Sequence, residues 1–192
     1  MSAIARSRYS AAAIALHWII ALIVIGNLIG GLTSDYWLDS RDPAMQQTGR
    51  FIMGLHKSLG LTVIALTLAR LATRIASPPP ALPAHMTPLE MLLARATHLL
   101  FYILMLALPF SGWAMVSTGK RIGPVSWFGL FDVPPLPLPT SLNGVFYEGH
   151  EIMGFVAIAT IALHIAGALK HRYLDRDDVL ARMLPWVRRN AR

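Results

Sequence analysis

Three long apolar stretches of this chain are free of Asp, Glu, Lys and Arg: Tyr9–Ser34, Ala96–Thr118 and Ile152–Leu169. A fourth is nearly so: Phe51–Leu71 carries only Lys57 and Arg70. A helix rises 1.5 Å per residue, so about 20 apolar residues cross about 30 Å of hydrocarbon. The pattern therefore predicts four transmembrane helices, at about 14–33, 51–71, 96–118 and 146–169. The third starts earlier, because Thr87-Pro88-Leu89-Glu90 reads as a capping box with Pro at the first helical position. Lys57 sits near the start of the second and can extend its ammonium to the interface.

Polar connectors separate these runs. Residues 34–50 hold Asp35, Asp39, Arg41, Asp42 and Arg50. The second connector holds Pro78-Pro79-Pro80 and Pro83. The third, about 119–145, holds Pro134-Pro135-Leu136-Pro137-Leu138-Pro139, a polyproline-like stretch. Arg6 and Arg8 precede the first apolar run, as in a signal peptide, but that run is too long for one and reads as a retained helix. No internal repeat is visible.

Composition agrees with this division. The 192 residues are 55% hydrophobic and 14% charged, outside the range of ordinary soluble domains. A net charge of +7 could suggest nucleic acid, but its distribution is that of a membrane protein. Twelve of the 17 Lys and Arg fall on one side of the four spans: Arg6, Arg8, Arg70, Arg74, Arg95, Lys170, Arg172, Arg176, Arg182, Arg188, Arg189 and Arg192. Arg41, Arg50, Lys57, Lys120 and Arg121 fall on the other. The excess marks the cytoplasmic side and puts both termini there. Residues 1–174 are expected to form the membrane domain and 175–192 a basic cytoplasmic tail. The tail is either an interfacial helix or a partly ordered segment.

Histidine carries the candidate chemistry. An ionisable side chain inside an apolar run is costly and points to function. With no cysteine, neutral imidazole is the ligand left for a borderline metal, and covalent c-type haem attachment is excluded. His17 and His164 lie at similar depth near the cytoplasmic ends of the first and fourth helices. His56 and His150 lie near the outer ends of the second and fourth. His150 and His164 are fourteen residues apart, so they share one face of a helix and stand about 21 Å apart along it. Two haems, each held by a pair of imidazoles from facing helices, satisfy this spacing. Zinc fits less well, because each pair lacks further ligands.

Gly60, Gly154 and Gly167 follow His56, His150 and His164 by three or four residues, on the ligands' own faces. Either they let a flat macrocycle approach, or they are helix–helix contacts. His98 either meets a haem propionate or quinone, or is an interfacial residue. Arg8 and Arg95 either join it there or serve only as topology signals. Lys57, beside His56, can pair with a propionate or draw in a small anion. His171 lies beyond the hydrocarbon, and His85 reads as a solvated residue of the proline-rich connector.

These residues occur within longer matching stretches. They include Arg8-Tyr9 with Leu16-His17-Trp18, His56-Lys57-Ser58-Leu59-Gly60, and Arg70-Leu71-Ala72-Thr73-Arg74. Further along stand Pro109-Phe110-Ser111-Gly112-Trp113, His164-Ile165, Ala168-Leu169-Lys170-His171, Arg176-Asp177 and Arg182-Met183-Leu184-Pro185. Over nearly its whole length the chain resembles the bacterial cytochrome b561 family, related to the membrane b subunits of formate dehydrogenases and nickel hydrogenases. The resemblance implies an all-α membrane protein: a four-helix transmembrane bundle holding two b-type haems, with His17, His56, His150 and His164 as ligands. It implies residence in the bacterial inner membrane and electron transfer to ubiquinone. The donor is either superoxide, as for one small member, or a periplasmic protein. In the second case the chain is a non-catalytic electron-transfer subunit of a dehydrogenase or hydrogenase. A haem-free packing or transport protein is the remaining reading.

Overall fold

In hydrocarbon every backbone N–H and C=O must be paired inside the protein, and a helix does this without a partner strand. The computed structural model describes residues 8–120 and 122–184. It folds the apolar runs into four long helices: α1 (Ala11–Leu32), α3 (Pro43–Ala76), α4 (Pro88–Thr118) and α5 (Asn143–Tyr173). All four are long and apolar enough to cross a membrane. A five-residue helix, α2 (Ser34–Leu38), interrupts the first connector.

The ends follow local chemistry. Ser10 caps α1 by accepting from Ala13 N–H at 3.3 Å. Asp42 caps α3 by accepting from Ala44 N–H at 2.9 Å, with Pro43 at the first position. The capping box of α4 is complete: Thr87 Oγ1 accepts from Glu90 N–H at 3.3 Å, and Glu90 Oε2 accepts from Thr87 N–H at 2.8 Å. Helix α3 starts eight residues before the apolar run, because that cap and Pro43 nucleate it in the polar connector.

Successive long helices run antiparallel. Asn27 of α1 meets His56 of α3, Arg70 of α3 meets Tyr102 of α4, and Glu90 of α4 meets Lys170 of α5. The central packing joins Ile20, Val63 and Met105, with Phe101 and Leu66 against them. Large apolar side chains point outward from the helices, among them Leu22, Leu68, Leu99 and Leu163. Outward apolar side chains on four helices of spanning length are suited to contact with lipid.

The third connector contains more than proline. Strands β1 (Val125–Trp127) and β2 (Phe131–Val133) form a small antiparallel hairpin. Its turn places Phe128 at φ 50° and Gly129 at φ 74°, and Leu130 N–H donates to Trp127 C=O at 2.9 Å. The hairpin is fastened to α3. Phe128 N–H donates to Ser58 Oγ, and Trp127 Nε1 donates to Thr62 Oγ1, both at 3.0 Å. Strands of three residues carry no readable period, so the hydrophobic pattern alone does not reveal them.

Beyond α5 the chain turns back under the bundle. A short 3-10 turn at Leu180–Arg182 buries Ala181, and Trp18 Nε1 donates to Met183 C=O at 2.9 Å. The remainder of the predicted tail, 185–192, lies outside the described residues, as do Arg6 and Arg121.

Candidate functional site

Four imidazoles meet as two pairs inside the bundle. The rings of His17 and His164 have centroids 6.2 Å apart with planes at 67°. Those of His56 and His150 are 6.1 Å apart at 74°. Helix α5 contributes one member to each pair, α1 and α3 the others. A metal–imidazole bond is about 2.0 Å and a ring centroid lies about 1.1 Å behind its nitrogen, so two rings across one metal have centroids about 6.2 Å apart. Both pairs stand at that separation.

The pair expected at the outer side, His56 and His150, is held by its other nitrogens. His56 Nδ1–H donates to Asn27 C=O at 3.0 Å. Asn27 Nδ2 in turn donates to His56 C=O at 3.1 Å. His150 Nδ1 lies 3.1 Å from Leu108 C=O and 3.0 Å from Ser111 Oγ, and Ser111 Oγ–H donates to the same carbonyl at 2.8 Å. A carbonyl can only accept, so Nδ1 carries the proton in both rings. Nε2 is left with its lone pair, which is the arrangement that orients a metal-ligating histidine. Two glycines make room for these rings. A Cβ on Gly31 would lie 3.3 Å from His56 Cε1, and one on Gly112 would lie 3.0 Å from His150 Cε1.

The inner pair, His17 and His164, named for the cytoplasmic side where it is expected, is set differently. His17 Nδ1 is buried without a hydrogen-bond partner among the described residues, and so is Thr67 Oγ1 on α3. Buried polar atoms are normally satisfied, and an orphaned ring nitrogen within this pair marks a place for a group the protein alone does not supply. His98 and Phe101 stand edge-on to His164, at 5.5 and 5.4 Å. His98 Nδ1–H donates to Ala94 C=O at 2.6 Å. The half-buried Arg70 acts through its charge on both His17 and His164. Its guanidinium lies 5.9 Å from the Tyr102 ring centroid, with that of Arg74 at 6.0 Å. Arg70, Arg74 and Tyr102 line a shallow cavity with Tyr9, Thr73 and Met183.

The other residues singled out by sequence are placed as follows. Arg8 and Arg95 are exposed, as is Lys57 beside His56. A Cβ on Gly60 would meet only Asn27 Nδ2, at 3.8 Å, whereas Cβ atoms on Gly154 and Gly167 would enter open space. His85 is not merely solvated: its Nε2 lies 3.1 Å from Oδ2 of the buried Asp177. Sequence reasoning passed over Asn27, Arg70 and Gly31 as site residues. Asn27 had a usable signal, being an amide inside a charge-free span.

A nitrogen-only donor set of two facing imidazoles, with the His56 and His150 rings protonated at Nδ1 and His17 Nδ1 left without a partner among the described residues, fits haem iron. Comparison with known proteins points the same way. The sequence model of the prokaryotic cytochrome b561 family matches residues 8–186. Cytochrome b561 homolog 2 of Escherichia coli (strain K12) is 34% identical over 182 residues, covering 92% of this chain and 91% of that protein. A Yersinia pestis protein named probable superoxide oxidase CybB is 26% identical, over 93% of this chain and 96% of its own. Cytochrome b562 of Cereibacter sphaeroides is 29% identical, over 92% and 94%.

Proposed function

The chain belongs to the prokaryotic cytochrome b561 family, and from that premise we propose that it carries single electrons across the bacterial inner membrane between a periplasmic donor and ubiquinone. It is a membrane cytochrome b, and b-type haem is the family's cofactor. Our reading assigns two such haems. His17 and His164 hold the inner one, His56 and His150 the outer one. The observation that carries this is the matched ring separation, 6.2 and 6.1 Å, at two depths along α5. When bound, haem supplies a one-electron couple, and its potential is tuned by the ligands and the charges around it.

The side chains then have distinct tasks. Asn27, Leu108 and Ser111 orient the outer rings. Gly60, Gly154 and Gly167 leave room on the ligand faces. Arg8, Arg95 and His98 are assigned to propionates or a quinone headgroup at the inner end, and Arg70 and Arg74, which line one cavity with Tyr9 and Tyr102, are assigned there too. A buried carboxylate needs such partners. Lys57 favours anions at the outer end. Both termini are assigned to the cytoplasm on the Lys and Arg asymmetry. Residues 1–174 form the electron-carrying unit and 175–192 a basic tail.

Superoxide is the first candidate donor, on the name of the Yersinia pestis relative. Two superoxide anions would each lose one electron to become dioxygen, and one quinone would gain two electrons and two protons. The second reading, an electron-transfer subunit docked to a dehydrogenase or hydrogenase, is favoured by the hairpin, whose Leu130 and Phe131 are 74% and 56% exposed and offer a protein partner an apolar tip. The deciding experiment mixes purified oxidised protein with superoxide, and reduced protein with a soluble ubiquinone, following the haem spectrum. Reduction by the first and reoxidation by the second support the oxidase. A spectrum unmoved by superoxide, with a dehydrogenase subunit co-purifying, supports the subunit.

A further inference from the structure

A second cluster of metal-ligating side chains lies apart from the paired rings, at the end of the bundle where α5 terminates. His85 comes from the connector before α4, His171 from the last turn of α5, and Asp175 and Asp177 from the turn that follows. One donor atom of each lies within 4.8 Å of all the others. Asp177 Oδ2 is 3.1 Å from His85 Nε2 and 2.8 Å from His171 Nδ1. Asp175 Oδ2 is 3.2 Å from His171 Nδ1. Around one tetrahedral ion with bonds of about 2.0–2.1 Å, donor atoms stand about 3.3 Å apart. The three close separations, 3.1, 2.8 and 3.2 Å, fall between about 0.1 and 0.5 Å short of that, and the remaining ones reach no more than 4.8 Å.

The donor chemistry is selective. Two imidazole nitrogens and two carboxylate oxygens suit zinc and its first-row neighbours, whereas magnesium and calcium prefer all-oxygen sites. Two carboxylates balance the charge of one divalent ion. The surrounding protein already supplies the outer contacts that orient metal-bound carboxylates. Val179 N–H donates to Asp177 Oδ1 at 2.9 Å. Lys170 Nζ donates to Asp175 Oδ1 at 2.9 Å and to Oδ2 at 2.7 Å, and can release Oδ2 because Glu90 Oε1 also holds it at 2.7 Å. Between the two aspartates Arg176 adopts φ 54°, a left-handed conformation that disfavours any residue with a Cβ. The turn accepts that strain and brings both carboxylates to His171.

We propose that His85, His171, Asp175 and Asp177 bind one divalent ion of the zinc class, which staples the connector before α4 to the exit of α5. His171 follows His164 by two helical turns, so the staple fixes the end of the bundle that carries the inner ring pair.

The test uses the full-length haem-loaded protein with a tag free of histidine, stripped with chelator and dialysed against buffered micromolar zinc. Metal per chain is read by mass spectrometry and haem separately by absorbance, so a failure here is distinct from a failure of the haem assignment. The expected result is one zinc per chain and a rise in thermal midpoint on adding zinc. His85→Ala and His171→Ala should each weaken binding at least tenfold and abolish that rise. His85 is 43% exposed, so His85→Ala decides the matter if His171→Ala does not fold. Less than stoichiometric zinc in the wild type, or equal affinity in wild type and His85→Ala, overturns the proposal.

Discussion

Asn27 and His56 hold each other from both ends. The Asn27 amide donates to the His56 carbonyl at 3.1 Å, and the His56 ring donates to the Asn27 carbonyl at 3.0 Å. This reciprocal clip joins α1 to α3 and fixes the ring that faces His150. Replacing Asn27 with Leu removes the amide half and leaves the backbone half. Interhelical side-chain hydrogen bonds in membranes are worth about 0.6 kcal/mol on average. Asn27→Leu should therefore lower stability by about 1 kcal/mol or less in denaturant titration and broaden the outer haem's spectral band, with haem retained.

Gly112 tests the fit around the partner ring. A methyl group there would stand 3.0 Å from His150 Cε1, closer than ordinary contact. Gly112→Val should displace the ring and lower haem content toward one per chain. Gly154→Ala enters open space on the protein side. Any haem loss in that variant would measure how closely the macrocycle approaches α5.

Charge at the other end should tune potential. Arg70 is half-buried and acts on both His17 and His164, whereas Arg8 and Arg95 are exposed and screened. Removing a cation disfavours the more reduced, more negative state. Arg70→Gln should lower the inner haem's midpoint potential by on the order of tens of millivolts. Arg8→Gln and Arg95→Gln should lower it less. Redox titration of the purified variants gives the ranking.

If superoxide is the donor, the exposed Lys57 should matter for its capture. Steering by a local positive field weakens with salt. The oxidation rate should fall as ionic strength rises, and Lys57→Glu should cut it several-fold at low salt. A rate insensitive to both points to a protein donor docking elsewhere.

How much could be read beforehand differs by feature. The four spans were legible because a charge-free run of that length has few other uses. The cap at Thr87 was legible because a capping box is a local code. That the rings of His17 and His164, and of His56 and His150, are neighbours follows from depth along antiparallel helices; that iron joins them is the proposal. Asn27 was missed because a polar residue in an apolar run shows cost without direction, and its partner lies 29 residues away. His85 was read as solvated because its partner Asp177 is 92 residues distant and a proline-rich connector gives no hint of where it folds. The hairpin escaped notice because its strands are three residues each.

The central claim is that two haems are held by two imidazole pairs sharing α5. It is tested most directly by counting haem per purified chain, by pyridine haemochrome assay against protein mass, in wild type and His164→Ala. The account predicts two in the wild type and one in the variant, with the outer haem's spectrum intact. Two haems retained in His164→Ala, or one in the wild type, would contradict it.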